Sequence, residues 1–297
     1  MQVMNEYKDY ELLDMANGEK LEKWGKYLLI RPDPQVIWSK KESPTLWKKA
    51  DARYIRSSSG GGHWEVINPL KESWQVDFGK LKFNIKPMGF KHTGLFPEQE
   101  VNWTYMREKI AEALRQNPKR EIKVLNLFAY TGGATVACLS AGASVCHVDS
   151  SKGMVAWAKE NVKSSGLEER PVRFIVDDVV KFVKREIKRG NKYDCIIMDP
   201  PSYGRGATGE VWNIDKDLEN LTTLCVELLT DEPLFYIVNT YTGGLSGTII
   251  SNLLKVTFEE KRKDLLKNGN IKTNEIGIKA KTSGLILPCG ITTKWEN

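Results

Sequence analysis

The sequence predicts an α/β chain whose later part builds a mostly parallel sheet, preceded by a small, mostly β module. Three observations carry this. From Ile122 onward short apolar runs alternate with helical patterns, the mark of parallel strands joined by right-handed crossovers. The first such unit, Ile122 to Ala143, reads as an apolar strand (Val124, Leu125, Leu127, Phe128), a turn holding Gly132 and Gly133, and a small-residue helix to Ala141. Residues 1 to 90 look different: Trp24, Trp38, Trp47, Trp64 and Trp74 fall there, among Lys, Arg and turn signals such as Arg31-Pro32-Asp33-Pro34 and Ser59-Gly60-Gly61-Gly62.

In that first stretch the runs Tyr27 to Ile30, Gln35 to Trp38, Trp64 to Asn68, Trp74 to Phe78 and Leu81 to Ile85 suit strands between tight turns. Its tryptophans have two readings. Beside Lys48, Lys49, Arg53 and Arg56 they suit stacking on unpaired bases. A small β module also needs large apolar side chains to build any core, and this second reading is preferred for any single Trp. From Lys91, a loop leads into a helical pattern of Val101, Tyr105, Ile110, Ala113 and Leu114.

The glycine turn opens a nucleotide pocket in the manner of α/β sheets. Glycine lets the backbone approach a ligand, and the helix N-terminus offers free N–H groups. The turn lacks both the G-x-G-x-x-G spacing of a dinucleotide site and the lysine of a P-loop, so it does not ask for a phosphate. Strand two, Ser144 to Val148, ends in Asp149, about 20 residues beyond the first, where such folds set an acid on ribose hydroxyls. A third, Val172 to Val176, ends in Asp177 and Asp178; a fourth, Tyr193 to Met198, runs into Asp199-Pro200-Pro201-Ser202. Acids at successive strand ends describe a ligand with ribose and base but no anionic tail. Each acid also lies where a helix N-cap belongs, and that reading stands beside the first.

Later helices are expected at Lys152 to Ser165, Val179 to Arg189, Asp215 to Leu229 and after Gly247, with a strand at Leu234 to Asn239 and a closing hairpin from Asn270 to Lys279 and Leu285 to Lys294. On the helix from Val179, the run Lys181, Lys184, Arg185, Lys188 and Arg189 opposes an inward Phe182, Val183 and Ile187, and reads as a solvated face before an RNA contact.

Composition bounds the rest. The 297 residues carry 44 basic and 38 acidic side chains, a net charge of +6 that suits an RNA-contacting surface without requiring one. Hydrophobic residues make up 41%, enough for a full core plus a smaller module. No apolar run approaches the roughly 18 residues of a membrane span, and MQVMNEYKDYE carries charges where a signal peptide is apolar, so a soluble, cytoplasmic protein without membrane partners is expected. Cys138, Cys146, Cys195, Cys225 and Cys289 lack C-x-x-C spacing and read as buried reduced thiols. His63, His92 and His147 form no pair with metal-ligand spacing, and no metal is expected.

Together Asn126-Leu127-Phe128-Ala129-Tyr130-Thr131-Gly132, Val148-Asp149-Ser150-Ser151 and Asp199-Pro200-Pro201 resemble the class I S-adenosylmethionine-dependent methyltransferases. Within them the chain is most similar to the bacterial large-subunit ribosomal RNA methyltransferases that modify cytosine C5 or guanine N7. The likeness runs from Phe90 to the C-terminus and includes Lys91-His92-Thr93-Gly94-Leu95-Phe96-Pro97-Glu98-Gln99 and Gly204-Arg205-Gly206.

This resemblance implies a Rossmann-like core with a seven-stranded, mostly parallel sheet over residues 91–297, behind the β domain of 1–90. It implies S-adenosyl-L-methionine as cofactor and RNA, ribosomal above all, as substrate; oligomeric state stays open. The cofactor would lie against Asn126 to Gly133, with Asp149, Ser150 and Ser151 at the ribose. Asp178, with Asp177 as rival, would accept from the adenine amino group; Phe96, Gln99 and Asp199 would also border it. Gly132 and Gly133 would give room to the methionine end.

Asp199 and the Pro200 carbonyl would grip donor atoms of a flipped base, with Pro201 rigidifying the turn and Ser202 or Tyr203 against the base face. Tyr203 to Val211 reads either as a mobile lid in which Arg205 meets phosphate or as a disordered surface loop. One departure matters. Cytosine-C5 enzymes of this kind attack C6 with a cysteine after the fourth or fifth strand, and here those places read Asp199-Pro200-Pro201-Ser202 and Asn239-Thr240-Tyr241-Thr242. A base nitrogen is therefore the expected acceptor. Runners-up are methylation of a protein or small molecule and a cofactor-binding RNA module without turnover; an NAD-dependent oxidoreductase comes third, since the glycine spacing is wrong and no Tyr-x-x-x-Lys pair supplies a proton relay.

Overall fold

The computed structural model describes residues 1–57, 61–206, 209–241 and 243–297. Ser59 and Gly60 of the glycine-rich turn, Ala207 and Thr208 of the Tyr203-to-Val211 loop, and Thr242 lie outside the described residues. The chain divides into two compact units. One holds Gln2–Val101 and Ile276–Cys289; the other holds Met1, Asn102–Glu275 and Gly290–Asn297. Among the described residues no helix is long and apolar enough to cross a membrane.

In the smaller unit, β1 (Gln2–Val3) pairs in parallel with Ile276 and Gly277. A five-stranded sheet runs in the order β2 (Tyr10–Ala16), β3 (Glu19–Trp24), β4 (Tyr27–Pro32), β5 (Ala52–Arg56) and β6 (Gly62–Val66), with the short helix α1 (Pro44–Trp47) between β4 and β5. A separate hairpin pairs β7 (Trp74–Phe78) with β8 (Leu81–Ile85). Strands β2 and β3, absent from the sequence reading, flank Asn17 (φ 55°) and Gly18 (φ 73°), a primed turn whose twist suits a hairpin. The expected strand Gln35 to Trp38 is instead a turn, closed by the Val36 N–H on the Asp33 carbonyl at 3.2 Å.

Two of this unit's tryptophans lie in its core, and Trp38, Trp64 and Trp74 are half-buried. Trp24 and Trp47 are buried, and the indole N–H groups of Trp38, Trp47 and Trp74 donate to Met15 O, Asp14 Oδ2 and Trp24 O. An indole whose N–H is spent inside the protein holds structure, which favours the core reading over base stacking.

The larger unit begins on α2 (Glu100–Gln116) and continues β9 (Lys123–Leu127), α3 (Gly133–Ser140), β10 (Ser144–Asp149), α4 (Lys152–Ser164), β11 (Val172–Val176), α5 (Val179–Lys188) and β12 (Cys195–Met198). A two-stranded ribbon follows, β13 (Tyr203–Arg205) with β14 (Val211–Asn213), then α6 (Ile214–Val226), β15 (Phe235–Thr240), α7 (Gly247–Lys261), α8 (Lys263–Asn268), β16 (Asn270–Lys279) and β17 (Ile286–Glu296). The strands of the large sheet stand in the order β1-β16-β17-β15-β12-β9-β10-β11, the two-residue β1 adding an edge strand to the seven expected. Strands β9, β10, β11, β12 and β15 are parallel, and β17 runs antiparallel to β15.

Alternation along these strands builds the core. Leu125, Leu127, Ile196, Met198, Tyr236 and Val238 point to one face and pack with Phe182, Leu221, Leu254 and Phe258. Burying each such side chain contributes about 1.5–3 kcal/mol. The chain proceeds from β9 outward through β10 and β11, then returns to β12 on the other flank of β9. That reversal makes a switch point between the carboxyl ends of β9 and β12, where connecting loops diverge and leave a crevice.

Candidate active site

The backbone from β9 into α3 is bent hard. Phe128 (φ 54°) and Tyr130 (φ 51°) both occupy the left-handed region that side chains disfavour, and Gly132 (φ 82°) follows. Each such non-glycine residue costs on the order of 1–3 kcal/mol and persists only where its surroundings impose it. Here they do. The Ala129 N–H bonds Val148 O at 3.1 Å, the Tyr130 N–H bonds Asp149 Oδ2 at 2.8 Å, and Asn161 Nδ2 holds Thr131 O at 2.8 Å.

Gly132 caps α3 without a side chain, so the first N–H groups of that helix are left for a ligand. Gly133 does something the sequence did not suggest. A Cβ there would lie 2.6 Å from Cζ2 of Trp103, so its missing side chain is the space into which α2 packs. Beneath the turn, Asn126 Nδ2 donates to Thr135 Oγ1 at 3.0 Å, and Thr135 Oγ1 meets His147 Nδ1 at 2.9 Å. Burial pushes the imidazole down to about 3, so this chain is neutral and supports the turn from below.

Asp149 is half-buried at the end of β10, its Oδ2 on the Tyr130 N–H and its Oδ1 on the Ser151 N–H at 2.8 Å. Each oxygen keeps a second lone pair for an outside donor. Burial raises the carboxyl above its ordinary range, and the two backbone N–H groups pull it back. Ser150 is half-buried beside it, and Ser151 caps α4 on the Met154 N–H. Asp178 caps α5 through the Lys181 N–H at 2.8 Å, with no hydrogen bond to Oδ2 among the described residues. Asp177 accepts from the Asp178 N–H at 2.9 Å and pairs with Arg185. The cap reading of Asp178 is thus realised in the structure. Phe96 and Gln99 belong to the smaller unit. There Phe96 lies 5.0 Å from the His92 ring, and Gln99 is buried at the end of the short turn Pro97–Gln99.

Asp199 follows β12 at the switch point, its N–H on Leu127 O at 3.4 Å. It is half-buried and Pro200 is buried, whereas Pro201, Ser202 and Tyr203 are exposed. The turn is pinned from an unforeseen side: Trp212 Nε1 donates to Pro201 O at 2.7 Å, and its ring packs 4.9 Å from Phe128. The predicted lid or loop carries the ribbon β13–β14. Tyr203 and Arg205 face outward on it, Arg205 Nε donating to Tyr203 Oη at 3.2 Å, while Gly204 lies against Pro201 and Trp212. On α5, Lys181, Arg185 and Arg189 pair with Glu210, Asp177 and Glu186, which fits a solvated face better than a phosphate-binding one. Cys195 and Cys225 are buried, and desolvation drives both thiols upward, away from nucleophilic thiolate.

A family model described as S-adenosylmethionine-dependent methyltransferase matches residues 17–239. The chain belongs to the S-adenosylmethionine-dependent methyltransferases. This methyltransferase is 31% identical over 174 residues to the ribosomal RNA large subunit methyltransferase K/L of Shewanella baltica, a match covering 58% of this chain and 23% of that protein. The chain therefore spans about a quarter of the length of that relative. A crystal structure of the SAM-dependent methyltransferase from Agrobacterium tumefaciens aligns at TM-score 0.91 and 35% identity, over 99% of this chain and 92% of that one. A putative methyltransferase solved in complex with SAH shares the fold at TM-score 0.73 and 17% identity, over 98% and 76% of the two chains.

S-Adenosylmethionine is the cofactor of this methyltransferase. The chemistry of the crevice fits such a ligand, because a strained turn with open helix N–H groups and half-buried acids at the ends of β10 and β11 offers acceptors to hydroxyl and amino donors. Among the described residues it offers no cationic cradle for phosphates.

Proposed function

We propose that this methyltransferase modifies a base of ribosomal RNA, at a ring or exocyclic nitrogen rather than at cytosine C5. The observation that carries the reading is the placement of Asp199-Pro200 at the β9/β12 switch point, with no cysteine beside it. The name of the Shewanella relative supports the RNA class. A Rossmann-like domain of residues 91–297 would do the chemistry, and the β domain of 1–90 would serve as an RNA-contacting module.

Asp149 would hold the ribose hydroxyls with the lone pairs its backbone bonds leave over, and Asp178, through Oδ2, the adenine amino group, with Asp177 as rival. Phe128, Ala129, Tyr130, Thr131 and Gly132 would line the cofactor, with Ser150 and Ser151 at its border and Asn126 and Gly133 behind the turn. Bound there, S-adenosylmethionine supplies a methyl group on a sulfonium, which departs as a neutral thioether and needs no general acid. The protein's work is to align the acceptor and exclude water. Asp199 and the Pro200 carbonyl would accept from the base, and where the attacking nitrogen carries a hydrogen, the proton it loses as the N–CH3 bond forms would pass to the Asp199 carboxylate and from there to solvent. Pro201 and Ser202 would keep that turn rigid, Tyr203 would lie against the base face and Arg205 would meet a phosphate.

The test is transfer of a tritiated methyl group to ribosomal RNA followed by nucleoside analysis of the digest. Label on an N-methylated nucleoside, lost in Asp199→Ala, is the expected result. Label on 5-methylcytosine, or none on RNA, would overturn the reading.

A further inference from the structure

Beside Asp199 the structure holds a buried amide that the reading above leaves unused. Asn239 closes β15, and the parallel register Met198 to Val238 sets it next to Asp199, one strand spacing of about 4.8 Å away. Alternation puts Asn239 on the face that carries α2, where Phe235 meets Tyr105 at 5.7 Å. Asn239 is only 2% exposed, yet its carboxamide is tied on one side alone. Oδ1 accepts from Asn102 Nδ2 at 3.1 Å and from Thr292 Oγ1 at 2.8 Å, and Asn102 Nδ2 also reaches Thr292 Oγ1 at 2.9 Å.

In this arrangement both lone pairs of Oδ1 are taken by the Asn102 and Thr292 donors. The Nδ2 group points the other way and meets no acceptor among the described residues. Asn102 and Thr292 are themselves fully buried, so nothing loosens the bracket from behind. A strand end needing only to pack would carry an apolar side chain here, because a buried amide costs free energy unless its hydrogens find acceptors.

We propose that Asn239 is the fixed hydrogen-bond donor of the acceptor site, its polarity set by Asn102 and Thr292. It positions the base for Asp199. This rests on the reading that a nucleic-acid base is methylated there. Asp199 can only accept while ionised, and Asn239 in this orientation can only donate. The pair fits an acceptor that presents a ring or carbonyl lone pair next to an N–H, as on the Watson–Crick edge of a base. Asn239 fixes approach geometry and takes no part in the proton or methyl balance.

Asn239→Asp separates this role from a structural one. Aspartate has the same shape and accepts the same two hydrogen bonds from Asn102 and Thr292, but it turns an acceptor toward the base. The measurements are methyl transfer to ribosomal RNA under steady-state conditions, calorimetric titration with S-adenosylmethionine, and thermal midpoint. The expected result for Asn239→Asp is a fall of at least about tenfold in kcat/KM for RNA, carried mainly by kcat, with cofactor affinity within about twofold of wild type. Transfer within about twofold of wild type would overturn the proposal, as would a loss of cofactor affinity equal to the loss of activity. Should the new carboxylate prevent folding, Asn239→Leu gives the same reading, with the same tenfold expectation and the same refuting outcomes. Absence of transfer by the wild type would instead defeat the RNA reading itself, so the two failures are distinguishable.

Discussion

Replacing Gly133 with alanine tests why the second glycine of the turn is there. A Cβ at that position lands 2.6 Å from Cζ2 and 3.0 Å from Cε2 of Trp103, well inside carbon–carbon contact distance. Trp103 is 3% exposed, so its ring has no room to swing into solvent. Two terms oppose each other. Alanine gains about 0.5–1 kcal/mol over glycine as a helix residue, and overpacking a closed core costs about 1–3 kcal/mol. At an overlap this deep the second term wins, and a net loss of about 1–2 kcal/mol is expected, measured as the midpoint of urea unfolding followed by circular dichroism. In a Trp103→Phe background the obstructing ring is gone, so the same substitution becomes neutral or mildly stabilising, a coupling of about 1–2 kcal/mol in the double-mutant cycle. The reasoning is refuted if Gly133→Ala keeps wild-type stability yet loses S-adenosylmethionine affinity in both backgrounds. That outcome would assign Gly133 to ligand clearance.

Two further outcomes follow from buried ionisable groups. Burial raises Asp149, so the cofactor-free protein gains stability as pH falls through that raised value while cofactor affinity is lost over the same window; calorimetric titration across pH should show affinity failing above the range of an ordinary aspartate at 3.8, and Asp149→Asn should flatten the dependence. Lys294 is buried in β17 with its ammonium 4.1 Å from the Tyr105 ring, and desolvation lowers it from 10.5 to about 8. The unfolded chain then holds the proton more tightly than the folded one, so stability should rise between about 8 and 10.5, and Lys294→Met should stabilise the protein near neutral pH. The ceiling is on the order of 3 kcal/mol at 1.36 kcal/mol per pKa unit, reduced by the lost ring contact. A lower urea midpoint for Lys294→Met would show that the ring contact outweighs desolvation.

Short-range rules carried the sequence a long way. The alternation of β9 to β15, the glycine turn and the acids closing successive strands all sit within windows of a few residues, where periodicity and turn chemistry act. The same rules contain the hairpin signal Asn17-Gly18 between β2 and β3, both residues at positive φ. The expected strand at Gln35 to Trp38 failed because Pro34 and Asp33 start a turn whose hydrogen bond outcompetes a ladder.

The sequence by itself determined the fold class and set acids at successive strand ends, because both depend on local pattern. Only the tertiary structure decided that Asp178 is spent in part on capping α5, that Gly133 makes room for Trp103, and that Trp212 pins the Pro201 carbonyl. The Asn102–Asn239–Thr292 bracket is the clearest case. Its hydrogen bonds join residues 137 and 190 positions apart, and no local window contains both partners. Those contacts come into being only when α2, β15 and β17 have packed, since the polarity of a buried amide is set by whichever donors the finished fold brings to it.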